Sequence, residues 1–220
     1  MTLYHGSESI IEAPEFGKGA RNNDYGKGFY CTENIELARE WACAKNKNGY
    51  VNVYEFDLTD LKDLNLNDRQ YHILNWLAIL ADNRTYWQRG SIAEEAKEYI
   101  KTHFLLDVSP YDVIIGYRAD DSYFAFATAF LEGSLTYDYL VESIRLGKLG
   151  YQCAVKSEKA FARLKELSVK EVNSTKLKTE YLNRDKIARN TFRDYSKKSA
   201  YDIARSRNKV KTIYDFIGDD

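Results

Sequence analysis

Two short segments carry the residues whose types and spacing could support a reaction. Residues 3–7 read Leu-Tyr-His-Gly-Ser, and residues 25–32 read Tyr-Gly-Lys-Gly-Phe-Tyr-Cys-Thr. Taken alone, each is a weak signal. A lone histidine after a strand is usually a hydrogen-bonded structural residue. The Gly-Lys-Gly loop lacks the G-x-x-x-x-G-K-[ST] spacing of a phosphate-binding loop, and it leads into a strand where a phosphate-binding loop opens a helix.

The other reactive side chains show no pattern of their own. The three histidines have no i, i+4 pairing and no Cys/His cluster occurs, so we expect no metal site. The three cysteines lie far apart and are odd in number, which suits a reducing cytoplasm. Cys31 with His5 stays open as a nucleophile–base pair, although nothing in the sequence indicates an acylation site.

Short strands and a helix are predicted to position the two segments. Residues 2–4 and 28–32 are expected to be strands, and the glycine- and asparagine-rich residues 16–28 a loop between them. Thr32 stands where a helix N-cap is expected, because residues 35–42 follow with helical apolar spacing.

The remaining elements place helices between strands. Ser157 is predicted to cap a helix that runs through residue 167. We expect helices at 73–80, 92–105 and 139–146, and strands at 50–56, 112–117, 151–155 and 169–172. Strands that come first and last, with helices inserted between them, predict the α+β class over a doubly wound fold.

Composition is that of an ordinary globular chain. Of 220 residues, 44% are hydrophobic and 30% are charged, and the net charge is −1. No apolar run approaches the roughly 20 residues that span a bilayer, and residues 1–6 do not resemble a signal peptide. We therefore expect a cytoplasmic protein with no membrane partner.

The two segments and the helix after them form a more specific motif when they are taken together in their order along the chain. A strand ending in His5-Gly6-Ser7 precedes a Gly-Lys-Gly strand with Tyr30, and a helix with Trp41 follows eleven positions later. This arrangement resembles the ADP-ribosyltransferase superfamily, especially its His-Tyr-Glu/Gln branch of poly(ADP-ribose) polymerases and diphtheria-like toxins. It is similar to small bacterial members of unknown function found in toxin–antitoxin pairs.

The resemblance implies a split β-sheet core with inserted helices and a helical C-terminal extension. It implies an enzyme that cleaves the nicotinamide–ribose bond of NAD⁺, with NAD⁺ as substrate and no metal. The reaction resembles glycoside hydrolysis through an oxocarbenium-like transition state. ADP-ribose would pass to a macromolecular acceptor, protein or nucleic acid, in a toxin or defence effector that an antitoxin protein could bind. An NAD⁺ glycohydrolase is a close variant.

By the resemblance, the N-terminal residues would hold NAD⁺. His5 would bond a ribose hydroxyl, the Gly6 backbone would pair with the nicotinamide carboxamide, and Ser7 would add a polar contact. Tyr30 and Trp41 would sandwich the cationic pyridinium ring.

The glycine-rich loop would cover the substrate. Gly26 and Gly28 would let residues 22–27 fold over NAD⁺, with Lys27 or Arg21 near the pyrophosphate. One departure concerns Ala38, which stands where the polymerases carry a serine.

Gln152 matches the superfamily's glutamate, which contacts the ribose 2′-hydroxyl. An amide can bond that hydroxyl, but it cannot act as a base or supply full charge. Three readings stay open: an enzyme active with Gln152, an enzyme that borrows a carboxylate from Asp120 or Asp121, or an inactive module that binds NAD⁺ or ADP-ribose. Gln152→Glu is expected to keep or raise NAD⁺ cleavage.

The end of the chain is unusually basic. Residues 183–212 carry a net charge of +7 and the rest of the chain −8. We therefore predict a catalytic domain at 1–182 and a basic, helical extension at 183–220. The extension is either a solvated helix lying on the acidic body or an arm that binds nucleic acid or an acidic partner.

Overall fold

The computed structural model describes residues 1–44, 47–84, 91–119, 121–145, 151–205 and 210–218. The strands within these ranges are β1 (Thr2–Ser7), β2 (Phe29–Thr32), β3 (Gly49–Phe56), β4 (Asp63–Asn65), β5 (Val113–Gly116), β6 (Gln152–Val155) and β7 (Leu164–Val172). The helices are α1 (Ile35–Ala42), α2 (Ile73–Asn83), α3 (Ser91–Phe104), α4 (Asp121–Leu131), α5 (Tyr137–Arg145), α6 (Glu158–Phe161), α7 (Ser174–Arg205) and α8 (Ile213–Ile217).

The strands form one mixed sheet in the order β4-β5-β6-β2-β1-β3-β7. Neighbouring strands are antiparallel except β4 and β5, which run parallel. Four helices lie between β4 and β6 in the described chain, and the long helix α7 follows β7. The predicted α+β class, with inserted helices and a helical C-terminal part, is confirmed.

The sheet narrows at its centre. β1 pairs with β3 through six residue pairs and β2 pairs with β6 through four, whereas β1 and β2 share only the pair Tyr4–Thr32. Two broad halves, β4-β5-β6-β2 and β1-β3-β7, therefore meet at a junction one residue pair wide.

Two predicted helix boundaries differ from those in the structure, and local interactions explain the differences. Asn34, not Thr32, caps α1, because its side chain accepts a hydrogen bond from Glu36 N at 2.9 Å. Ser157 does cap α6, but this helix ends at Phe161 and the expected continuation to 167 is wrong. Residues 164–167 belong to β7, which pairs along β3 instead, and this sheet pairing outweighs their helical pattern, whereas the predicted strand at 169–172 is confirmed.

Each face of the sheet carries its own apolar cluster. One cluster contains Leu3, Cys31, Phe56, Val113, Cys153, Val155 and Ala160. The other contains Ala38, Ala42, Val51, Val53, Val172 and Leu177. Alternation along β1 therefore sends Leu3 to one face and its neighbour Tyr4, which packs on the second cluster, to the other.

The chain divides into two compact units. The first comprises Met1–Tyr71, Asp107–Tyr117 and Leu149–Asn183 and holds the sheet. The second comprises His72–Leu106, Arg118–Lys148 and Arg184–Asp220. The predicted boundary at 182/183 lies next to one of the points where the chain passes between units. Within the described part, no helix combines the length and apolar character that crossing a bilayer requires.

The basic segment contributes to the core of the second unit. Phe192 makes an edge contact with Phe126 at 5.1 Å between ring centroids, and Tyr195 stacks on Tyr139 at 4.8 Å. Buried Ser199 accepts a hydrogen bond from the backbone of Thr136 at 3.2 Å. One side of the segment is therefore packed against its own unit, while Lys186, Arg193 and Lys197 are exposed.

Candidate functional site

The narrow junction brings the two N-terminal segments together. The imidazole Nδ1 of His5 lies 2.7 Å from the backbone oxygen of Tyr30. Because a carbonyl oxygen can only accept, the neutral ring must carry its hydrogen on Nδ1, and Nε2 then presents a lone pair. The same ring stacks on Phe29 at 4.2 Å between centroids. His5 of the first segment therefore contacts Phe29 and Tyr30 of the second segment at the point where β1 and β2 stop pairing.

His5 is held in its neutral form. Burial lowers the pKa of His5 from its ordinary 6.5, and the hydrogen bond to Tyr30 opposes this effect only in part. We predict an imidazole titration midpoint below 6.5, measured by NMR against a His5→Ala protein that identifies the signal. The unfolded chain takes up this proton at higher pH than the folded chain does. The free energy of unfolding should therefore fall as pH drops below about 6.5. A midpoint at or above 6.5 would contradict this burial.

Asn52 is a positioning residue that the sequence did not reveal. It lies opposite His5 on β3 and is fully buried. Its amide nitrogen donates to His5 O at 3.3 Å and to Ser7 Oγ at 3.0 Å, and its oxygen accepts from Ile11 N at 2.8 Å. A polar residue inside the apolar run of β3 was the available signal. Asn52 fixes both the end of β1 and the loop that follows.

Gly6 lies against the backbone of α1. A Cβ at this position would be 1.9 Å from Ala38 O, 2.6 Å from Ala42 N and 2.8 Å from Trp41 Cβ. The missing side chain therefore permits close strand–helix packing. Ala38 is fully buried in this contact, which accounts for a small residue at that position. Two predicted site residues, Gly6 and Trp41, are therefore close together, and Trp41 is half-buried.

Tyr30 anchors the glycine-rich loop. Tyr4 pairs with Thr32, and Tyr30 is two residues before Thr32 on the same strand, so all three side chains lie on one face of the sheet. This is the face of the second apolar cluster, which contains Ala38 and Ala42 of α1. The Tyr30 hydroxyl donates to Gly26 O at 2.7 Å and accepts from Tyr25 N at 2.9 Å. Gly26 has φ +74°, a conformation that favours glycine. The Tyr30 hydroxyl therefore holds, by two hydrogen bonds, the loop that is expected to cover the substrate.

Gln152 is bonded to an acid that the sequence did not single out. Its Nε2 donates to Asp24 Oδ2 at 2.6 Å and to Tyr117 O at 3.1 Å. Gln152 pairs with Thr32 on one side and Gly116 on the other. The third predicted motif therefore lies on the strand next to Tyr30, with a buried carboxylate beside it.

The other predicted residues lie apart from this group. Arg21 and Lys27 are exposed in the loop. Gly28 packs tightly, since a Cβ there would be 2.9 Å from Val155 O. Asp120 lies outside the described residues, and Asp121 begins α4 in the second unit.

Burial opposes the alternative of a cysteine nucleophile. It raises the pKa of Cys31 well above its ordinary value, and neighbouring Cys153 adds to the effect. A reactive cysteine needs a lowered pKa, because the thiolate is the nucleophile. In the described ranges, no three His, Cys, Asp or Glu side chains gather in a way that could hold a metal ion.

A pocket of about 410 Å³ lies beside the same strands. Met1, residues 33–35, Ile115 and residues 151–153 line it. Gln152 is among the lining residues, whereas His5, Tyr30 and Trp41 are not.

The comparisons with known proteins place the sheet in a sequence family. The family described as a protein of unknown function, DUF3990, matches residues 1–166. The match includes β1 to β6, whereas most of β7 and all of α7 follow it. No curated protein and no solved structure matches the chain.

Proposed function

This chain belongs to the DUF3990 family, and we propose that it is an NAD⁺-dependent ADP-ribosyltransferase. In the proposed reaction, the bond between the nicotinamide nitrogen and ribose C1′ breaks, and its electron pair leaves with neutral nicotinamide. The acceptor's nucleophile forms a new bond to C1′ and loses its proton. The acceptor is a macromolecule, protein or nucleic acid. The setting we propose is a toxin or defence effector controlled by an antitoxin protein.

The observation that carries this proposal is the meeting of three distant motifs on adjacent strands. β6, β2 and β1 are neighbours in the sheet and carry Gln152, Tyr30 and His5. His5 bonds the backbone of Tyr30 where the single pair between β1 and β2 ends. The His5 ring stacks on Phe29, on the Leu3 face of the sheet, whereas Tyr30 and Gln152 lie on the Tyr4 face. A ligand that contacts all three must therefore bind at the junction where β1 and β2 stop pairing.

The geometry suits the roles that the resemblance implies. Nε2 of His5 can accept a hydrogen bond from a ribose hydroxyl, because Nδ1 carries the hydrogen. Tyr30 and Trp41 lie on the Gly6 face, where aromatic rings can stack on the cationic nicotinamide. The Oε1 atom of Gln152 can accept from the ribose 2′-hydroxyl, since both amide hydrogens already have acceptors.

Transfer can be separated from simple hydrolysis by following the label. NAD⁺ labelled in its ADP-ribose part is incubated with the protein in a bacterial lysate and in a lysate treated with nuclease or protease. Label bound to macromolecules supports the transferase, and the treatment that abolishes it identifies the acceptor class. Free ADP-ribose with no labelled acceptor would replace the transferase by a glycohydrolase, and unchanged NAD⁺ would contradict both.

A second candidate function, nucleic-acid binding, is favoured by the exposed side of α7. Lys186, Arg193 and Lys197 are exposed and follow one another at intervals of seven and four residues. Such spacing places them on one face of the helix. A row of cations on a helix complements a phosphate backbone. This surface would either deliver a nucleic-acid acceptor to the enzyme or act without catalysis.

Neutralising this row tests nucleic-acid binding. We predict that a triple variant reduces the slope of log affinity against log salt for single-stranded RNA by about 2. In this variant Lys186, Arg193 and Lys197 are all changed to Gln. Fluorescence anisotropy across a salt series measures the slope. Changing exposed Lys62, Lys165 and Lys170 of the first unit to Gln is the matched control. Equal slopes in all three proteins would remove α7 as a nucleic-acid surface.

A further inference from the structure

A buried acid stands next to the strand position where the resemblance expects a glutamate. Asp24 is 3% exposed and Gln152 is 4% exposed. Their contact, Nε2 to Oδ2, is 2.6 Å long, and Tyr117 O accepts the second amide hydrogen at 3.1 Å. The reverse orientation of the amide would place its oxygen against two oxygens. The amide is therefore fixed with Oε1 as its accepting end.

The backbone around Asp24 is held from several sides. Tyr25 is fully buried, and its hydroxyl donates to Tyr117 O at 2.6 Å. Its backbone nitrogen bonds the Tyr30 hydroxyl, and its backbone oxygen accepts from Lys156 Nζ. Burial lowers the pKa of Lys156 from its ordinary value. Asp24 is therefore presented to Gln152 by a loop of fixed position.

We propose that Asp24 is a positioning residue for ADP-ribosyl transfer, acting through Gln152. This inference rests on the proposed function. In this proposal, Gln152 supplies the acceptor for the ribose 2′-hydroxyl and Asp24 supplies the negative charge, two properties that the superfamily's glutamate combines in one side chain. The carboxylate accepts a charge-assisted hydrogen bond from Nε2. Hydrogen bonds in a chain polarise one another, so Oε1 becomes a stronger acceptor for the ribose 2′-hydroxyl.

The pair also places negative charge near the reacting ribose. Charge builds up on that sugar in the oxocarbenium-like transition state, and a fixed opposite charge in a water-poor site stabilises it. Because the ground state has less of this charge on the ribose, Asp24 should act more on kcat than on KM. The sequence indicated Asp120 or Asp121 as the borrowed carboxylate, whereas the loop provides Asp24 in contact with Gln152.

The contact reverses the expectation for Gln152→Glu. A glutamate there would set two carboxylates at hydrogen-bond distance, and like charges at such a distance disfavour each other's ionised form. The loop would be pushed from its place. Adding Asp24→Asn restores a donor and an acceptor in the opposite order. The double variant should therefore regain part of what Gln152→Glu loses, since its glutamate oxygen still faces Tyr117 O.

A double-mutant cycle tests the pair. The rate of nicotinamide release and KM for NAD⁺ are measured for the wild type, Asp24→Asn, Gln152→Glu and the double variant, with urea unfolding of each. Asp57→Asn, an exposed acid of the same unit, is the matched control and should behave as wild type. We expect Asp24→Asn to lower kcat about tenfold or more with little change in KM, which corresponds to loss of one charge-assisted bond.

Each outcome decides one question. A double variant that is clearly more active than Gln152→Glu alone supports the pair as a functional unit. An Asp24→Asn protein that keeps the wild-type kcat overturns the role of Asp24. So does a loss of activity that only follows lost stability, with no recovery in the double variant. If the wild type releases no nicotinamide, the proposed function fails and this inference falls with it.

Discussion

Tyr30→Ala is expected to lower NAD⁺ cleavage at least about a hundredfold. The substitution removes the ring proposed to stack on the nicotinamide cation, a desolvated interaction of about 2 kcal/mol or more. It also removes the hydroxyl that bonds Tyr25 N and Gly26 O. Each loss of about 1.4 kcal/mol in transition-state binding is a tenfold loss in rate. Nicotinamide release at saturating and at low NAD⁺ concentrations measures the effect.

Tyr30→Phe separates the ring from the hydroxyl. The phenylalanine ring can still stack, but it cannot anchor the loop, so we expect a smaller loss than in Tyr30→Ala. Circular dichroism shows whether both proteins keep their folds. A folded Tyr30→Ala protein with wild-type turnover would remove Tyr30 from the site. Equal losses in the two variants would assign its importance to loop anchoring instead of stacking.

Gly6→Ala is expected to destabilise the protein by at least about 2 kcal/mol, within the usual cost of overpacking. The new Cβ would lie 1.9 Å from Ala38 O and 2.6 Å from Ala42 N. Both are backbone atoms of α1, so neither can move away without shifting the helix. Because Trp41 is on the same helix, the shift should also displace the ring proposed to hold nicotinamide.

Urea unfolding followed by circular dichroism measures this cost. Gly28→Ala is the matched control, because its Cβ would meet its closest neighbour, Val155 O, at 2.9 Å. We expect Gly28→Ala to unfold at a higher urea concentration than Gly6→Ala. A Gly6→Ala protein as stable as the wild type would contradict the close packing of β1 on α1.

The strands that carry the motifs were predictable because their signals are local. β1, β2 and β6 have short runs of apolar and β-branched residues beside glycine or loop residues. Helix α4 was not predicted. Its sequence, DSYFAFATAFL, is apolar on nearly every side, so no helical periodicity separates it from a buried loop or strand.

The contacts that define the site were not predictable from sequence. Asp24 and Gln152 are 128 positions apart, and nothing in the residues around Asp24 indicates a buried acid. Their contact depends on the pairing of β2 with β6, which a single sequence does not reveal. Asn52 had a local signal, a polar residue in an apolar strand, but its partners come from a separate strand and loop.

The C-terminal segment shows a limit of charge patterns. Its net charge predicted an extension outside the catalytic domain, and the same segment contains buried Ala188, Tyr195 and Ser199. These three residues follow one another at intervals of seven and four, which places them on one face of the helix. The numerous cations between them made this pattern difficult to detect in the sequence. The exposed cations Lys186, Arg193 and Lys197 lie on a different side of α7 from these buried residues. Charge substitutions therefore test its surface better than a truncation that would also remove core residues.

Nicotinamide release from NAD⁺ by the purified protein is the most direct measurement of the proposed function. It should be made with and without bacterial lysate and nucleic acid, with His5→Ala as the control variant. We predict release that increases with a macromolecular acceptor and is lost in a folded His5→Ala protein. Saturable NAD⁺ binding with no release would contradict the enzyme and favour an NAD⁺-binding module. Equal release by His5→Ala would contradict the site.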